Sequence, residues 1–321
     1  MKIQLKKDEQ LVIQAENEKA TFYGVTSVYR RLIEKSEIPF SGCKSFKTCR
    51  ASKIKNFITR INFTPNVEIL KEVEDDLQNY EPLELDYVRD SLILSKEDVE
   101  KITSIMPIIP ASSFGCAQYN LQYVHFTKDC EAITTDGRQL ARVKLTNTDF
   151  CKLVNSTNEN ISGNIHKSVF SFFKGAVEFK NYFNYFSFSD KKTTVYVKKE
   201  SDIQFPNWER VIPDVSKYSK GDIDLELFDD KEMQKFLKIN SNGVIHIEEG
   251  KIYSKDVMHQ EKTRIGECNT LDRFSFNSEY LAKVYKILGK TTVHFNPDDH
   301  TKCVVFGNLA GDYVLTMPMA Y

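Results

Sequence analysis

The sequence predicts an α+β fold of repeated units, each with two helices packed on antiparallel sheets. Three observations carry that reading. The order helix, strands, helix, strands occurs in residues 91–200 and again in 222–321. The expected helices bear apolar side chains at helical spacing, most of them behind a capping residue. Between the copies lies Gln204–Pro213, QFPNWERVIP, which holds the single Trp and a proline near each end. A proline donates no ladder hydrogen bond, so this stretch is not a central strand.

Residues 1–90 form a partial copy. Lys2–Leu5 and Gln10–Gln14 flank a Lys-Lys-Asp-Glu turn as a hairpin. Thr26–Ser36 (TSVYRRLIEKS) is expected to be helical. Ser52–Ile61 (SKIKNFITRI) is a second expected helix, with Ile54, Phe57, Ile58 and Ile61 inward. Val67–Lys71 and Leu83–Tyr87 are expected strands. In the middle copy, Ser95-Lys-Glu-Asp98 forms a capping box before Val99, Ile102 and Met106, and Pro107 and Pro110 end that helix. Strands follow at Leu121–Phe126 and Ala132–Val143, the latter folded at Asp136-Gly137, where Gly accepts positive φ. A helix from about His166 would turn Val169, Phe170 and Phe173 inward. Strands resume at Val177–Phe179, Tyr185–Ser189 and Thr193–Lys199.

In the last copy Asp229 and Asp230 cap a helix bearing Met233, Phe236 and Leu237. Strands follow at Gly243–Ile247, Lys251–Ser254, Arg264–Glu267 and Arg273–Phe276. Asn277 caps a helix with Leu281, Val284, Tyr285 and Leu288 on one face. Strands at Thr292–Phe295, Lys302–Phe306 and Asp312–Met317 close it. The expected domains are 1–90, 91–215 and 216–321.

Lys+Arg 44 against Asp+Glu 45 gives a net charge of −1, which excludes a uniformly basic nucleic-acid-coating protein but allows a local basic surface. The cysteines at 43, 49, 116, 130, 151, 268 and 303 form no C-x-x-C and read as reduced thiols. No apolar run reaches the roughly 18 residues of a membrane span, and the N-terminus lacks an apolar signal core, so a cytoplasmic protein with no membrane partner is expected. There is no Walker loop, no G-x-G-x-x-G and no H-E-x-x-H, and the six His are dispersed. No catalytic residue, metal site or cofactor is expected. Asp298-Asp299-His300, Asp75-Asp76 and Glu248-Glu249 read as solvated turns.

The polar faces of the helices are basic. Lys283, Lys286 and Lys290 share one row, and Lys231, Lys235 and Lys238 another. Lys53 and Arg60 form a similar row, as do Lys167 and Lys174 on the helix expected from His166. One such row is commonly a solvated face. Four in comparable places would line a single surface if the units pack side by side, and lysine–phosphate contacts give affinity without reading sequence. The acidic residues would then sit mostly on the other surface.

Four segments resemble the bacterial DNA polymerase sliding clamp (β clamp) family. Ile133-Thr-Thr-Asp-Gly-Arg-Gln-Leu-Ala141 is similar to its A-T-D-G-x-R-L-A turn. Phe205-Pro-Asn-Trp-Glu-Arg-Val-Ile-Pro213 is similar to its F-P-D-Y-x-R-V-x-P segment. Phe276-Asn-Ser-Glu-Tyr280 fits its F-N-x-x-Y helix start, and Asp312-Tyr-Val-Leu-Thr-Met-Pro-Met319 its A-Y-V-V-M-P-M-x-L ending. The resemblance covers residues 91–321. Gln139 stands where the family has Arg, Ala320-Tyr321 replaces its final Leu, and the first domain is short.

The resemblance implies repeated DNA-clamp domains in a homodimeric ring around double-stranded DNA, without catalytic activity. It implies a processivity factor that tethers a polymerase, with polymerase and clamp loader docking as peptides in a cleft between the second and third domains. The matching cleft positions are Leu121, Thr135, Gly137, Leu140, Pro206, Arg210, Val211, Tyr280, Leu315, Met317, Pro318 and Met319. An Arg amid such apolar neighbours is expected to need an acceptor. The alternative is a clamp-like binding module that forms no ring and captures replication proteins through the same cleft.

Overall fold

The computed structural model describes residues 9–16, 19–26, 28–37, 42–46, 85–110, 120–155, 163–199, 203–256, 258, 261–268, 270–271 and 273–319. The expectations for Lys2–Leu5, Ser52–Ile61 and Val67–Lys71, and with them Lys53 and Arg60, lie outside these residues. The chain divides into two compact units, residues 1–96 with 171–200, and residues 97–170 with 201–321.

In chain order the described strands are β1 (Gln10–Glu16), β2 (Lys19–Val25), β3 (Tyr29–Glu37), β4 (Gly42–Phe46), β5 (Asp90–Leu94), β6 (Tyr123–Phe126), β7 (Glu131–Thr135), β8 (Gln139–Lys144), β9 (Asn164–His166) and β10 (Val177–Asn181). They continue with β11 (Tyr185–Ser189), β12 (Thr194–Lys198), β13 (Ser219–Gly221), β14 (Val244–Glu248), β15 (Lys251–Lys255), β16 (Lys262–Glu267), β17 (Phe274–Asn277), β18 (Val293–Phe295), β19 (Val304–Gly307) and β20 (Tyr313–Thr316). The α-helices are α1 (Lys96–Ile105), α2 (Thr148–Val154), α3 (Lys231–Ser241) and α4 (Ser278–Leu288).

The first unit is built on an eight-stranded antiparallel sheet, ordered β4-β1-β2-β3-β12-β11-β10-β5. Four strands come from residues 10–46 and four from 90–198. They join at β3 and β12, where Tyr29 faces Val197 and Arg30 faces Tyr196. Thr26–Ser36 is therefore corrected from helix to turn and strand. Its helical spacing is outweighed by ladders on both edges, to β2 and β12, a tertiary override of weak local propensity. Thr26 Oγ1 fixes the preceding turn by accepting the N–H groups of Val28 and Tyr29, both at 3.2 Å. The strand expected at Leu83–Tyr87 is also displaced: residues 85–89 are irregular, and β5 starts at Asp90. Glu9 is 2% exposed, but its carboxylate accepts from Arg31 at 2.9 and 2.6 Å and from the Tyr29 hydroxyl at 3.3 Å. That pairing is what permits a charge inside the unit. Phe22, Phe179, Phe186, Phe188 and Val195 fill the core.

The second unit holds an eight-stranded sheet ordered β13-β18-β19-β20-β8-β7-β6-β9 and a four-stranded sheet ordered β16-β15-β14-β17. The larger sheet repeats the four-plus-four construction, joined where β8 meets β20. α3 lies against β14 and β15, α4 against β17, β19 and β20, and the two helices touch. Asp230 caps α3 by accepting from Met233 N at 2.7 Å, and Asn277 caps α4 by accepting from Glu279 N at 2.9 Å. α1 buries Val99, Ile102 and Ile105. It also buries the Asp98 carboxylate, which takes the Thr146 N–H at 2.7 Å and the Thr146 hydroxyl at 2.9 Å.

The helix expected from His166 is not formed. β9 ends there, the chain turns, and Phe170–Phe172 makes one 3-10 turn. Val169, Phe170 and Phe173 are buried as expected. Their spacing needs only one turn, and the Ser168 hydroxyl against the His166 ring at 2.7 Å holds the chain locally. The helix in this stretch is α2, capped by Asn147 at 3.0 Å from Phe150 N, with Phe150, Cys151 and Val154 buried. Among the described residues no helix is long and apolar enough to cross a membrane.

Candidate functional site

The site is built where β8 meets β20. Leu140 lies opposite Leu315, and Gln139 opposite Thr316. With Ile133, Val305 and Tyr313 the two leucines form a buried cluster. The turn before β8 is held by side chains. Thr135 Oγ1 donates to Gln139 O at 2.6 Å and accepts from Gly137 N at 3.1 Å. Asp136 Oδ1 accepts from Arg138 N at 2.8 Å and Gln139 N at 2.6 Å. Gly137 sits at φ +85°, where a side chain would be strained.

Beyond β20 the chain becomes a strap. Met317 N donates to Arg138 O and Met319 N to Ser275 O, at 2.9 and 2.8 Å. The backbone is pinned at both ends while Met317 stays 43% and Met319 36% exposed. Pro318 between them is half-buried. Gln139 ties the strap's root to α4: its Nε2 donates to Tyr280 O at 3.2 Å and to Thr316 Oγ1 at 3.0 Å. The buried slot at this position thus holds a neutral amide where the clamp pattern has an arginine. Tyr280, in the first turn of α4, is half-buried. Burial raises its hydroxyl pKa, and the nearby Asp136 charge adds to that.

The Gln204–Pro213 stretch forms no strand and makes a 3-10 turn at Trp208–Val211. Phe205, Trp208 and Ile212 pack on the Leu140–Leu315 cluster. Pro206, Arg210 and Val211 point to solvent, Val211 at 53% exposure. Arg210 has no hydrogen-bond or ion-pair partner among the described residues. The expectation that it needs an acceptor is corrected by that exposure, because water solvates it. Leu121 is half-buried on the turn before β6, two strands from β8.

A shallow depression of about 470 Å³ adjoins Pro206, lined by His125, Asn164 and residues 203–209. Asn164 Nδ2 donates to Ile203 O at 2.8 Å, which turns its Oδ1 toward His125 Nδ1 at 2.8 Å. His125 therefore carries its proton on Nδ1, and burial lowers its pKa. Its ring stacks on Phe205, centroids 4.9 Å apart. Nothing in the spacing of His125 and Asn164 marks them as neighbours; the pairing of β6 with β9 brings them together.

The lysines divide. Lys231, Lys235 and Lys238 are exposed on α3, interleaved with exposed Phe236 and Ile239. On α4, Lys283 lies over the Tyr280 ring at 5.4 Å, beside the cleft positions. Lys286 pairs with Asp229 at 3.4 Å and Lys290 with Glu226 at 3.1 Å. Acidic residues thus stand among the lysines of this unit, contrary to the expected segregation. Lys174 is exposed, but Lys167 donates to the Pro110 carbonyl and burial lowers its pKa. The two do not share a helix face.

No protein-family model and no curated protein match the sequence. Solved structures do. The chain is similar to the β subunit of DNA polymerase III from Borrelia burgdorferi, solved with a natural product, with a TM-score of 0.65 at 14% identity over 97% of this chain and 91% of that one. The DNA polymerase sliding clamp of Caulobacter crescentus gives a TM-score of 0.64 at 14% identity, covering 98% of this chain and 92% of that one. This chain has the fold of a bacterial β sliding clamp. The Helicobacter pylori β clamp bound to a DNA ligase peptide shares that fold with a TM-score of 0.61 at 14% identity, over 98% and 93% of the two chains. Identity this low establishes the clamp fold and leaves side-chain roles to be argued from this chain.

Proposed function

We propose that this protein is a DNA sliding clamp, a processivity factor that tethers a polymerase and other partners to duplex DNA without catalysing a reaction. Three clamp domains, 1–90, 91–215 and 216–321, would close as a homodimeric ring in the cytoplasm. The α3 and α4 lysines would meet the phosphates. A closed ring needs only weak, sequence-blind contacts, because escape requires opening it.

The observation that carries the reading is the Met317–Met319 strap, fixed through its backbone to Arg138 and Ser275 while its flexible apolar Met317 and Met319 side chains stay exposed. Fixed backbone with adaptable thioethers suits several partner peptides. Leu121, Thr135, Gly137, Leu140, Arg210, Tyr280 and Leu315 complete the proposed cleft. The test is fluorescence anisotropy with the DNA ligase peptide of the H. pylori clamp. Deleting 317–321 should abolish binding with the circular dichroism spectrum intact, and unchanged affinity removes the cleft. Light scattering and retention on circular but not linear DNA test the ring. A specific observation favours a second reading, a clamp-like module without a ring: Glu226 and Asp229 neutralise two lysines assigned to DNA. It requires a monomer that still binds the peptide.

A further inference from the structure

The turn before β7 and the helix α2 bring two thiols together. Cys151 Sγ lies 3.0 Å from Cys130 Sγ, 21 positions away in sequence. Cys130 is 5% exposed and Cys151 0%. Both backbones are tied. Cys130 N donates to Thr127 O at 3.2 Å, and Leu145 N donates to Cys130 O at 2.9 Å. The Cys151 carbonyl accepts from Asn155 Nδ2 at 2.9 Å. Cys130 adopts φ 62°, a left-handed conformation uncommon outside Gly, Asn and Asp. The other described free thiols, Cys268 and Cys303, instead face the carbonyls of Asp222 and Val211.

A disulfide requires sulfurs about 2.05 Å apart, so these need to approach by only about 1 Å. We propose that Cys130 and Cys151 are a modification site, forming a reversible intramolecular disulfide with a small-molecule disulfide such as oxidised glutathione as oxidant. The Cys130 thiolate, on the turn, attacks one glutathione sulfur and releases one glutathione thiolate. The Cys151 sulfur then attacks the Cys130 sulfur, passing its proton to the second glutathione as that leaves as a thiol. The protein loses two protons and two electrons, and one glutathione disulfide becomes two glutathione thiols. Burial raises both thiol pKa values, so the exchange quickens as pH rises. The bond staples the turn that feeds β7, and so the Thr135–Gly137 hairpin, to α2.

The test treats the folded full-length chain with oxidised glutathione, quenches with acid, alkylates, and maps peptides without reduction. The expected result is one cross-linked peptide pair holding Cys130 and Cys151, the loss of two hydrogens, and an unfolding midpoint raised by about 5 °C. Cys151→Ser should instead accumulate a glutathione adduct on Cys130, and Cys130→Ala should form no cross-link. Should either variant fail to fold, the wild-type map decides alone. Full alkylation of both thiols, a persistent adduct on wild-type Cys130, or cross-linking only in urea overturns the proposal.

Discussion

Arg142 offers the sharpest test of how the joined sheet is held. Its guanidinium pairs with the Glu131 carboxylate, the side chains 12% and 8% exposed. It donates to Leu309 O at 3.3 Å and lies 5.1 Å over the Tyr313 ring. β8, β20 and the loop between β19 and β20 thus meet on one cation. Among the described residues, Arg142→Ala leaves buried Glu131 with the Thr127 hydroxyl at 3.4 Å as its remaining side-chain donor. Stranding one member of such a pair costs about 3–5 kcal/mol, and the lost ring contact adds about 1 kcal/mol. Replacing both members, as Glu131→Leu with Arg142→Met, removes the stranded charge and should cost at least 2 kcal/mol less than Arg142→Ala, on the order of what buried-pair replacements recover. The assay is urea unfolding followed by fluorescence of Trp208, the only Trp, which packs on the cluster containing Tyr313. A loss below about 1 kcal/mol for Arg142→Ala, or a double variant worse than the single, refutes the reasoning.

Other outcomes follow from single contacts. Burial lowers the His166 pKa to about 4, so the unfolded chain binds this proton first. Its contribution is complete above the unfolded value near 6.5 and is lost as pH falls toward 4. His166→Asn should flatten the stability profile between those limits in urea titrations; an unchanged slope counts against it. Thr146→Val removes the hydroxyl that donates to buried Asp98 and leaves the Thr146 N–H in place; it should cost about 1–3 kcal/mol by the same denaturation assay. Glu226→Gln with Asp229→Asn frees Lys286 and Lys290, so DNA affinity should rise and its log–log salt slope steepen by about 2. A flat response would exclude those lysines from the DNA face.

Legibility varied with how local the cause was. The α3 and α4 starts were readable because Asp230 and Asn277 sit three positions before the first apolar residues of a helical spacing. The Asp136-Gly137 turn was readable because positive φ at Gly137 is a property of the residue. Thr26–Ser36 misled because its spacing fits a helix while neighbours on both edges make it a strand. The segment after His166 misled for the opposite reason, its burial being right and its conformation wrong. α2 was missed although Asn147 before Phe150, Cys151 and Val154 carried the signal. Among the site positions, Met317 and Val211 were readable as types, but their exposure was not.

The sequence by itself determined the alternation of helices and strands over 222–321, the capped starts of α3 and α4 and the motifs that point to a clamp, because these depend on neighbours a few positions apart. Tertiary structure alone decided that β3 pairs with β12 and β8 with β20, that Gln139 bridges Tyr280 and Thr316, and that acids share the lysine faces. Those outcomes depend on residues far apart in the chain, and burial and ion pairing are fixed only once the sheets have closed.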